Sequence, residues 1–307
     1  MNKTSIMKHF SELSLHAGDK IAIVSPSGAI DASYIDSAKQ VFENWGLTVQ
    51  VGSSAYLTYG RFGGTQDQRI ADLQQALDDP SVKAVLCSRG GYGIVQIVDK
   101  LDFSKFKAHP KWVMGFSDVT VLHNAIGKLG LPSLHCIMAK HIAELDSSSD
   151  PVVKLKQVLF GDWSNYSLTS HPSNRNGIAT GKLIGGNLSV FMGLRSTGID
   201  LDFSGSILFL EEISEQPYHI DRMMQNLRIS GVLGVLSGMV VGQFTDCVED
   251  ERMKMTVQEI ILNAVSEYNF PVCFDFPSGH VDYNLPLILG TNIALDVNAQ
   301  YVELNYL

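Results

Sequence analysis

Apolar and polar residues alternate in blocks along the first half of the chain. Ile21-Ala22-Ile23-Val24 is a short apolar run that ends in Ser25-Pro26-Ser27-Gly28. A run of that length, bounded by turn residues, reads as a buried strand leading into a loop. Asp31 to Trp45 then carries apolar residues at helical spacing, with Gly46 as its stop. Leu47 to Val51 reads as a second strand, Thr65 to Leu77 as a helix closed by Asp78-Asp79-Pro80, and Val82 to Cys87 as a third strand. Ile94 to Leu101 is predicted as a helix and Trp112 to Met114 as a fourth strand. Val119, Leu122, Ala125 and Ile126 mark a further helix directly after it. Strands and helices alternating at this rhythm predict an α/β fold built on a parallel, doubly wound sheet of the flavodoxin or Rossmann kind.

The texture changes between Ser147 and Asn176. Turn residues dominate there, around one short helix from Val152 to Phe160, and the stretch reads as the connection between domains. The predicted division is residues 1–165 and 166–307. In the second part Gly185-Gly186-Asn187-Leu188-Ser189 is expected to open a helix. Ser206 to Leu210 is a buried strand ending at Glu211-Glu212. Glu215 to Leu227 is a helix whose first acid complements the helix dipole. Val235 to Val241 is a strand, Thr256 to Val265 a helix, Val272 to Phe274 a strand and Phe276 to His280 a turn. Leu287-Ile288, Ile293 to Asp296 and Tyr301 to Leu304 are short strands. The second domain is thus expected to be mixed α/β and β-rich toward its end.

Composition narrows the partners. A chain of 307 residues with 45% hydrophobic content supports two sizeable cores. Its net charge of −9 argues against a nucleic-acid or anionic-membrane partner. Cys87, Cys136, Cys247 and Cys273 are too scattered for a disulfide framework or a zinc site. His219 and Asp221, two apart, fall short of a metal motif. Ser25 to Gly28 lacks the dinucleotide fingerprint, and Gly90 to Gly93 lacks the Gly-Lys-Ser/Thr ending of a phosphate loop, so no metal and no cofactor is expected. Met1 to Leu15 has no apolar core of the signal-peptide type, and no stretch is long and apolar enough to span a bilayer. The expectation is a soluble, cytoplasmic protein.

The candidate chemistry starts at Gly115-Phe116-Ser117-Asp118. A serine between a strand and a helix is thrown forward at the carboxyl end of the sheet, where open α/β folds place their sites. Ser117 is therefore a candidate nucleophile. The alternative is a plain N-cap, and Val119 stands where a hydrolase elbow has its second glycine. Ser88-Arg89-Gly90-Gly91-Tyr92-Gly93 follows the preceding strand. Its backbone either forms half of an oxyanion hole or is an ordinary βα turn. Because loops after successive parallel strands share one edge, this loop and Ser117 are expected to be neighbours. A serine nucleophile needs a base and an acid. His280 in a Gly-His turn, His123 and His135 are candidate bases. Glu211 ends a buried strand, where a carboxylate needs a partner; Glu212 and Glu215 lie beside it.

Taken jointly, these residues resemble the LD-carboxypeptidase family of serine peptidases, which includes muramoyltetrapeptide carboxypeptidases and microcin C immunity proteins. The markers are Ile23 to Ser27, Ser88 to Gly93, Gly115 to Asp118, Gly185 to Leu188, Leu210 to Glu212 with Tyr218 to Arg222, and Gly279-His280. The resemblance implies Ser117 as nucleophile, Glu211 as acid and His280 as base, with backbone N–H groups of Gly91 and Asp118 as oxyanion hole. The family usually has Glu-Asp where this chain has Glu211-Glu212, so the choice of Glu211 depends on register. The implied reaction is hydrolysis of the L,D bond to the terminal D-alanine of a murein tetrapeptide, through an acyl-enzyme. The implied cleft lies between the domains, and the implied assembly is a homodimer. Arg89 and Gly90 are candidate substrate-binding residues, and Arg61 is a second candidate for the substrate carboxylate. A same-fold peptidase acting on a microcin C-like peptide–nucleotide conjugate is the alternative; a non-catalytic peptide- or sugar-binding protein and a nucleotide-dependent enzyme are others.

Overall fold

The computed structural model describes residues 13–163, 165–248 and 250–307, so residues 1–12 of the N-terminal stretch Met1 to Leu15 lie outside the described residues. Two compact units emerge. Of the described residues, those within 13–163 and 282–288 form one, and those within 165–281 and 289–307 the other.

The first unit's strands are β1 (Lys20–Val24), β2 (Thr48–Val51), β3 (Val82–Cys87), β4 (Trp112–Gly115) and β5 (Ser133–His135). The second unit contributes β6 (Tyr166–Thr169), β7 (Gly177–Asn187), β8 (Ile207–Ile213), β9 (Gly238–Thr245) and β10 (Val272–Cys273). Three strands follow: β11 (Leu287–Leu289), β12 (Asn292–Val297) and β13 (Tyr301–Tyr306).

The first sheet has the order β11-β5-β4-β3-β1-β2, and β1 to β5 pair in parallel. The doubly wound parallel sheet is as the block pattern predicts; its 2-1-3-4-5 core is the flavodoxin order, and its switch point lies between β1 and β3. The loops after these two strands are Ser25 to Gly28 and Ser88 to Gly93. Helix Ala32–Asn44 covers the sheet with Ile35, Ala38 and Phe42, all fully buried. Burying a side chain such as Phe42 contributes about 1.5–3 kcal/mol. Helix Gln66–Asp78 starts at a capping box, in which the Thr65 hydroxyl takes the Gln68 N–H and the Gln68 side chain takes the Thr65 N–H. At its other end buried Lys111 donates to the carbonyls of Ala76 and Asp79 at 3.1 and 2.5 Å. This cation meets the negative end of the helix dipole, while burial holds its pKa down at about 8.

Ile94 to Leu101 departs from expectation. It forms two separate 3-10 turns, Ile94–Gln96 and Val98–Lys100, with Ile97 between them at φ −122°. A side-chain carboxylate, from Asp118, takes the Ile94 N–H and anchors the start of this segment.

The second sheet has the order β10-β9-β8-β7-β12-β13-β6. Strands β7 to β10 pair in parallel, and β12, β13 and β6 extend the sheet antiparallel. Gly185 and Gly186 do not open a helix. They are the end of β7, paired with Phe209 and Leu210 of β8, and the helix is the five residues Leu188–Met192. Likewise β9 begins at Gly238 rather than Val235, and helix Pro217–Ile229 begins two residues after Glu215. Glu215 therefore precedes the helix; its carboxylate accepts from the Gln216 N–H at 2.8 Å. The core between β7, β8, β9 and helices Pro217–Ile229 and Val257–Ala264 includes Leu208, Leu210, Ile220, Met224 and Ile260. No helix among the described residues is long and apolar enough to cross a membrane.

Candidate active site

Ser117 is not an N-cap. It begins a short 3-10 turn, Ser117–Val119, and its φ is +64°. An N-cap has extended backbone, as Asp31 and Thr65 do here. A left-handed serine stores strain of order 1–3 kcal/mol, which persists only where surrounding contacts impose it. Those contacts come from the preceding loop: a Cβ on Gly90 would stand 2.7 Å from the Ser117 Cβ and 2.9 Å from its Oγ. Only a glycine lets this backbone approach so closely. The glycine loop and the Ser117 turn are thus neighbours, as the shared sheet edge predicts.

The β1 loop completes the group. The Gly28 N–H donates to the Gly90 carbonyl at 3.1 Å, and the hydroxyls of Ser25 and Ser88 share a hydrogen bond of 2.5 Å. Gly91 lies beside Gly28 and Ser27. Among the described residues no turn or loop hydrogen bond is donated by the Gly91 N–H or the Asp118 N–H. Arg89 is exposed and donates to the Ala29 carbonyl at 2.6 Å. Arg61, also exposed, lies over the Tyr92 ring, 5.7 Å from its centroid.

Sequence pattern did not point to the side chain of Asp118. Its Oδ2 accepts from the Ser27 hydroxyl at 2.6 Å and from the Ile94 N–H at 2.9 Å. Burial raises its pKa; Ser27, Ile94, Arg69 and Gly93 oppose that rise. Arg69 was also missed. Its side chain is buried, donates to the carbonyls of Pro26 and Gly93 at 2.9 Å each, and reaches Gln96 Oε1 at 2.9 Å. The available signal was its spacing: Arg69, Leu73, Ala76 and Leu77 form the buried face of one helix.

His123 and His135 belong to the core. The His123 nitrogens bond to the Ser133 hydroxyl at 2.8 Å and the Gly115 carbonyl at 2.9 Å. Burial lowers its pKa to about 4, so the ring is neutral near pH 7. His135 is fully buried against Phe116, with ring centroids 5.7 Å apart.

In the second unit the two adjacent glutamates separate cleanly. The His280 Nδ1–H donates to Glu211 Oε2 at 2.7 Å, and Glu211 is fully buried. Glu212 points to the other face of β8. There it accepts from Asn187 Nδ2, the Ser189 N–H and its own strand's Ile213 N–H at 2.7–2.9 Å, bracing the start of helix Leu188–Met192. Burial raises the Glu212 pKa as well. Pairing between β8 and β9 shifts register here, with Gly242 and Gln243 both opposite Glu211. A bulge of this kind re-aims a side chain. Gln243 N–H then holds the Ser278 carbonyl at 3.0 Å, which fixes the turn carrying His280. Gly279 has φ +139°, and a Cβ there would meet the Glu211 Cβ at 3.0 Å.

A histidine oriented by a buried carboxylate through Nδ1 is held as a general base is held. A left-handed serine in a turn after a parallel strand is, in the first unit, the geometry that an α/β-fold hydrolase gives its nucleophile. Comparison with known proteins agrees with that class. Residues 21–136 match the LD-carboxypeptidase N-terminal domain, and residues 180–295 match the LD-carboxypeptidase C-terminal domain. The chain belongs to the LD-carboxypeptidase family and is a carboxypeptidase-type hydrolase. It is 32% identical to the probable murein peptide carboxypeptidase of Bacillus subtilis, over 94% of this chain and 92% of that one. Its fold matches the crystal structure of muramoyltetrapeptide carboxypeptidase from Oxalobacter formigenes with a TM-score of 0.85 at 27% identity, covering 94% of this chain and 98% of that one. The microcin C7 self-immunity protein MccF, in its wild-type apo state, gives a TM-score of 0.84 at 19% identity over 95% of this chain and 97% of that one, a likeness of fold alone.

Proposed function

We propose that this enzyme removes the terminal D-alanine of murein tetrapeptides by hydrolysing the bond from the L-configured centre of the diamino acid. The observation that carries this reading is the 2.7 Å bond from His280 Nδ1 to fully buried Glu211. It is the base–acid pair that a serine nucleophile requires. The murein substrate rests on the relatives, one named a probable murein peptide carboxypeptidase and one a muramoyltetrapeptide carboxypeptidase.

In the mechanism, Ser117 Oγ attacks the scissile carbonyl carbon while His280 Nε2 takes its proton. The carbonyl oxygen becomes the oxyanion and accepts from the Gly91 and Asp118 N–H groups. Losing one such donor typically costs about 10²–10³ in turnover. Collapse expels the D-alanine nitrogen, which leaves as an amine with the proton from His280. Water, deprotonated by the same base, then attacks the Ser117 ester, and the shortened peptide leaves as its carboxylic acid. Glu211 holds His280 in the tautomer that exposes Nε2 and stabilises the imidazolium. Arg89 and the backbone of Gly90 bind the substrate at this edge.

The setting we propose is the cytoplasm, with the protein a homodimer that binds neither nucleic acid nor membrane; the net charge of −9 supports the last two. The deciding experiment is mass spectrometry of L-Ala-γ-D-Glu-meso-diaminopimelate-D-Ala incubated with wild type and with Ser117→Ala. Loss of one alanine with wild type only is the expected result. Cleavage by both proteins moves the nucleophile elsewhere. Cleavage of a peptide–nucleotide conjugate and not of the tetrapeptide assigns the protein to the microcin C-type substrate instead.

A further inference from the structure

Three loops meet at the proposed oxyanion hole: the tip after β1, the glycine loop after β3 and the Ser117 turn after β4. Two buried side chains of opposite charge join them, all within the first unit. The Asp118 carboxylate collects donors, namely the Ser27 hydroxyl of the tip at 2.6 Å and the Ile94 N–H at the end of the glycine loop at 2.9 Å; the Gly93 N–H is a further donor to it. The Arg69 guanidinium collects acceptors from the same two loops, the Pro26 carbonyl of the tip and the Gly93 carbonyl of the glycine loop, each at 2.9 Å. The Phe62 ring lies under this guanidinium, 4.7 Å from its Cζ to the centroid, and closes it off from that side.

From this geometry we infer that Asp118 and Arg69 form a two-charge clamp that positions the oxyanion hole by fixing the glycine loop against the nucleophile turn. The inference rests on the reading of Ser117 as nucleophile. The two proposed donors sit on different loops, Gly91 on one and Asp118 on the other. A hole made from two loops works only while their spacing is held, and misplacement by about 1 Å can cost about 10²-fold in rate. The clamp supplies that constraint at the residue that itself carries one donor. Asp118 and Arg69 are positioning residues in this assignment, since their side chains touch neither substrate nor the reacting atoms.

Asparagine at 118 keeps one accepting oxygen for the Ser27 hydroxyl and the Ile94 N–H but loses the charge that strengthens both bonds, and its NH2 group stands where the carboxylate has a second acceptor. Burial raises the Asp118 pKa, so the folded state binds its proton more readily than the unfolded chain does. The ionised form is therefore the one that folding disfavours, and neutralising it does not cost stability through charge. A clamp role thus predicts lost rate without matching loss of fold.

The test uses a fluorophosphonate probe on the full chain. Ser117 Oγ forms the P–O bond, fluoride leaves, and His280 takes the hydroxyl proton, so the rate constant reports the oxyanion hole without any peptide. Asp118→Asn is expected to label about 10²-fold more slowly per titrated site than wild type, with KM for the tetrapeptide within about twofold. Ser27→Ala removes one clamp bond and no charge, and is expected to slow labelling about 3- to 10-fold; it decides the matter if Asp118→Asn does not fold. Folded variants that label at the wild-type rate per site overturn the clamp, whatever fraction of the protein is folded. If wild type labels at Ser117 yet releases no D-alanine, the substrate reading fails and the labelling rates still decide on the clamp. No labelling of wild type at Ser117 overturns both.

Discussion

The Ser117 turn and the His280 turn are held by different forces. Around Ser117, Asp118 and Arg69 grip the Ser27 hydroxyl and main-chain groups of two loops through charge-assisted hydrogen bonds. Around His280 the fixing contacts are steric and mostly neutral. Gly242 and Gly279 allow close packing against Glu211, and Gln243 holds the Ser278 and Phe276 carbonyls. The Asp275 carboxylate takes the Gln243 side chain at 2.7 Å, and Glu211 acts on the histidine itself. The proposed mechanism accounts for the difference. In it the serine and its donors stay fixed as charge develops on the substrate, so rigid electrostatics suit them. The histidine there gains and loses a proton, so a carboxylate aimed at its ring, inside a tightly packed turn, suits it.

The largest expected effect removes the first half altogether. Ser117→Ala should lower the rate of D-alanine release by about 10⁵- to 10⁶-fold; a drop under tenfold would show that the strained turn is not the nucleophile. Next comes the carboxylate of the second half. Glu211→Gln presents an amide to the ring and favours the wrong tautomer, so kcat should fall about 10⁴-fold with the protein still folded. Removing the whole pair with Glu211→Gln and His280→Ala together should cost little more than the worse single change, because the two act as a unit. Multiplying effects would mean that they act separately.

Steric fixing is tested by adding one carbon. Gly279→Ala places a Cβ 3.0 Å from the Glu211 Cβ at a φ of +139°, so the turn must shift. We expect kcat to fall about 10²-fold, with KM changed less than threefold. Gly90→Ala makes the matching intrusion on Ser117, at 2.7 Å from its Cβ. A similar loss there, measured as D-alanine release, would show that close approach matters in both halves and that charge is an addition in the first.

Much of this was legible because the first unit writes its elements in blocks. The runs before Ser25, Ser88 and Ser117 are short and apolar, and each ends in turn residues, so the sheet edge could be located from the sequence. Glu211 and Glu212 were not separable that way. They are the same residue type on neighbouring positions of one strand, and only their opposite faces decide which one meets His280. The clamp was hidden for a related reason. Asp118 looks like a first-turn acid, and Arg69 occupies an apolar position on its helix, so neither residue type declares the loop it holds. Ile94 to Leu101 has helical spacing, yet Gly93 at φ +143° and Ile97 at φ −122° break it into two turns, and the Asp118 carboxylate takes its first N–H. The return of residues 282–288 to the first unit could not be read either, since a run as short as Leu287-Ile288 does not reveal which sheet it joins.

The smallest expected effect on activity separates the His280 chemistry from a histidine that only supports structure. His123 sits in the first unit, with one ring nitrogen on the Ser133 hydroxyl and the other on the Gly115 carbonyl. Were it the base, His123→Asn would match the loss caused by His280→Ala; we expect kcat to change less than about tenfold. Its effect should instead appear in stability. The folded pKa is depressed to about 4, below the ordinary value near 6.5. Between those two values the unfolded chain binds a proton that the folded protein does not, so stability is full above about pH 6.5 and is lost as pH falls toward 4. One such group steepens the dependence by up to about 1.4 kcal/mol per pH unit. Urea midpoints measured from pH 7 to pH 4 should therefore fall more steeply for wild type than for His123→Asn. Equal slopes would mean that the ring takes up its proton without leaving the core, and that the two hydrogen bonds at β4 and β5 tolerate the charged form.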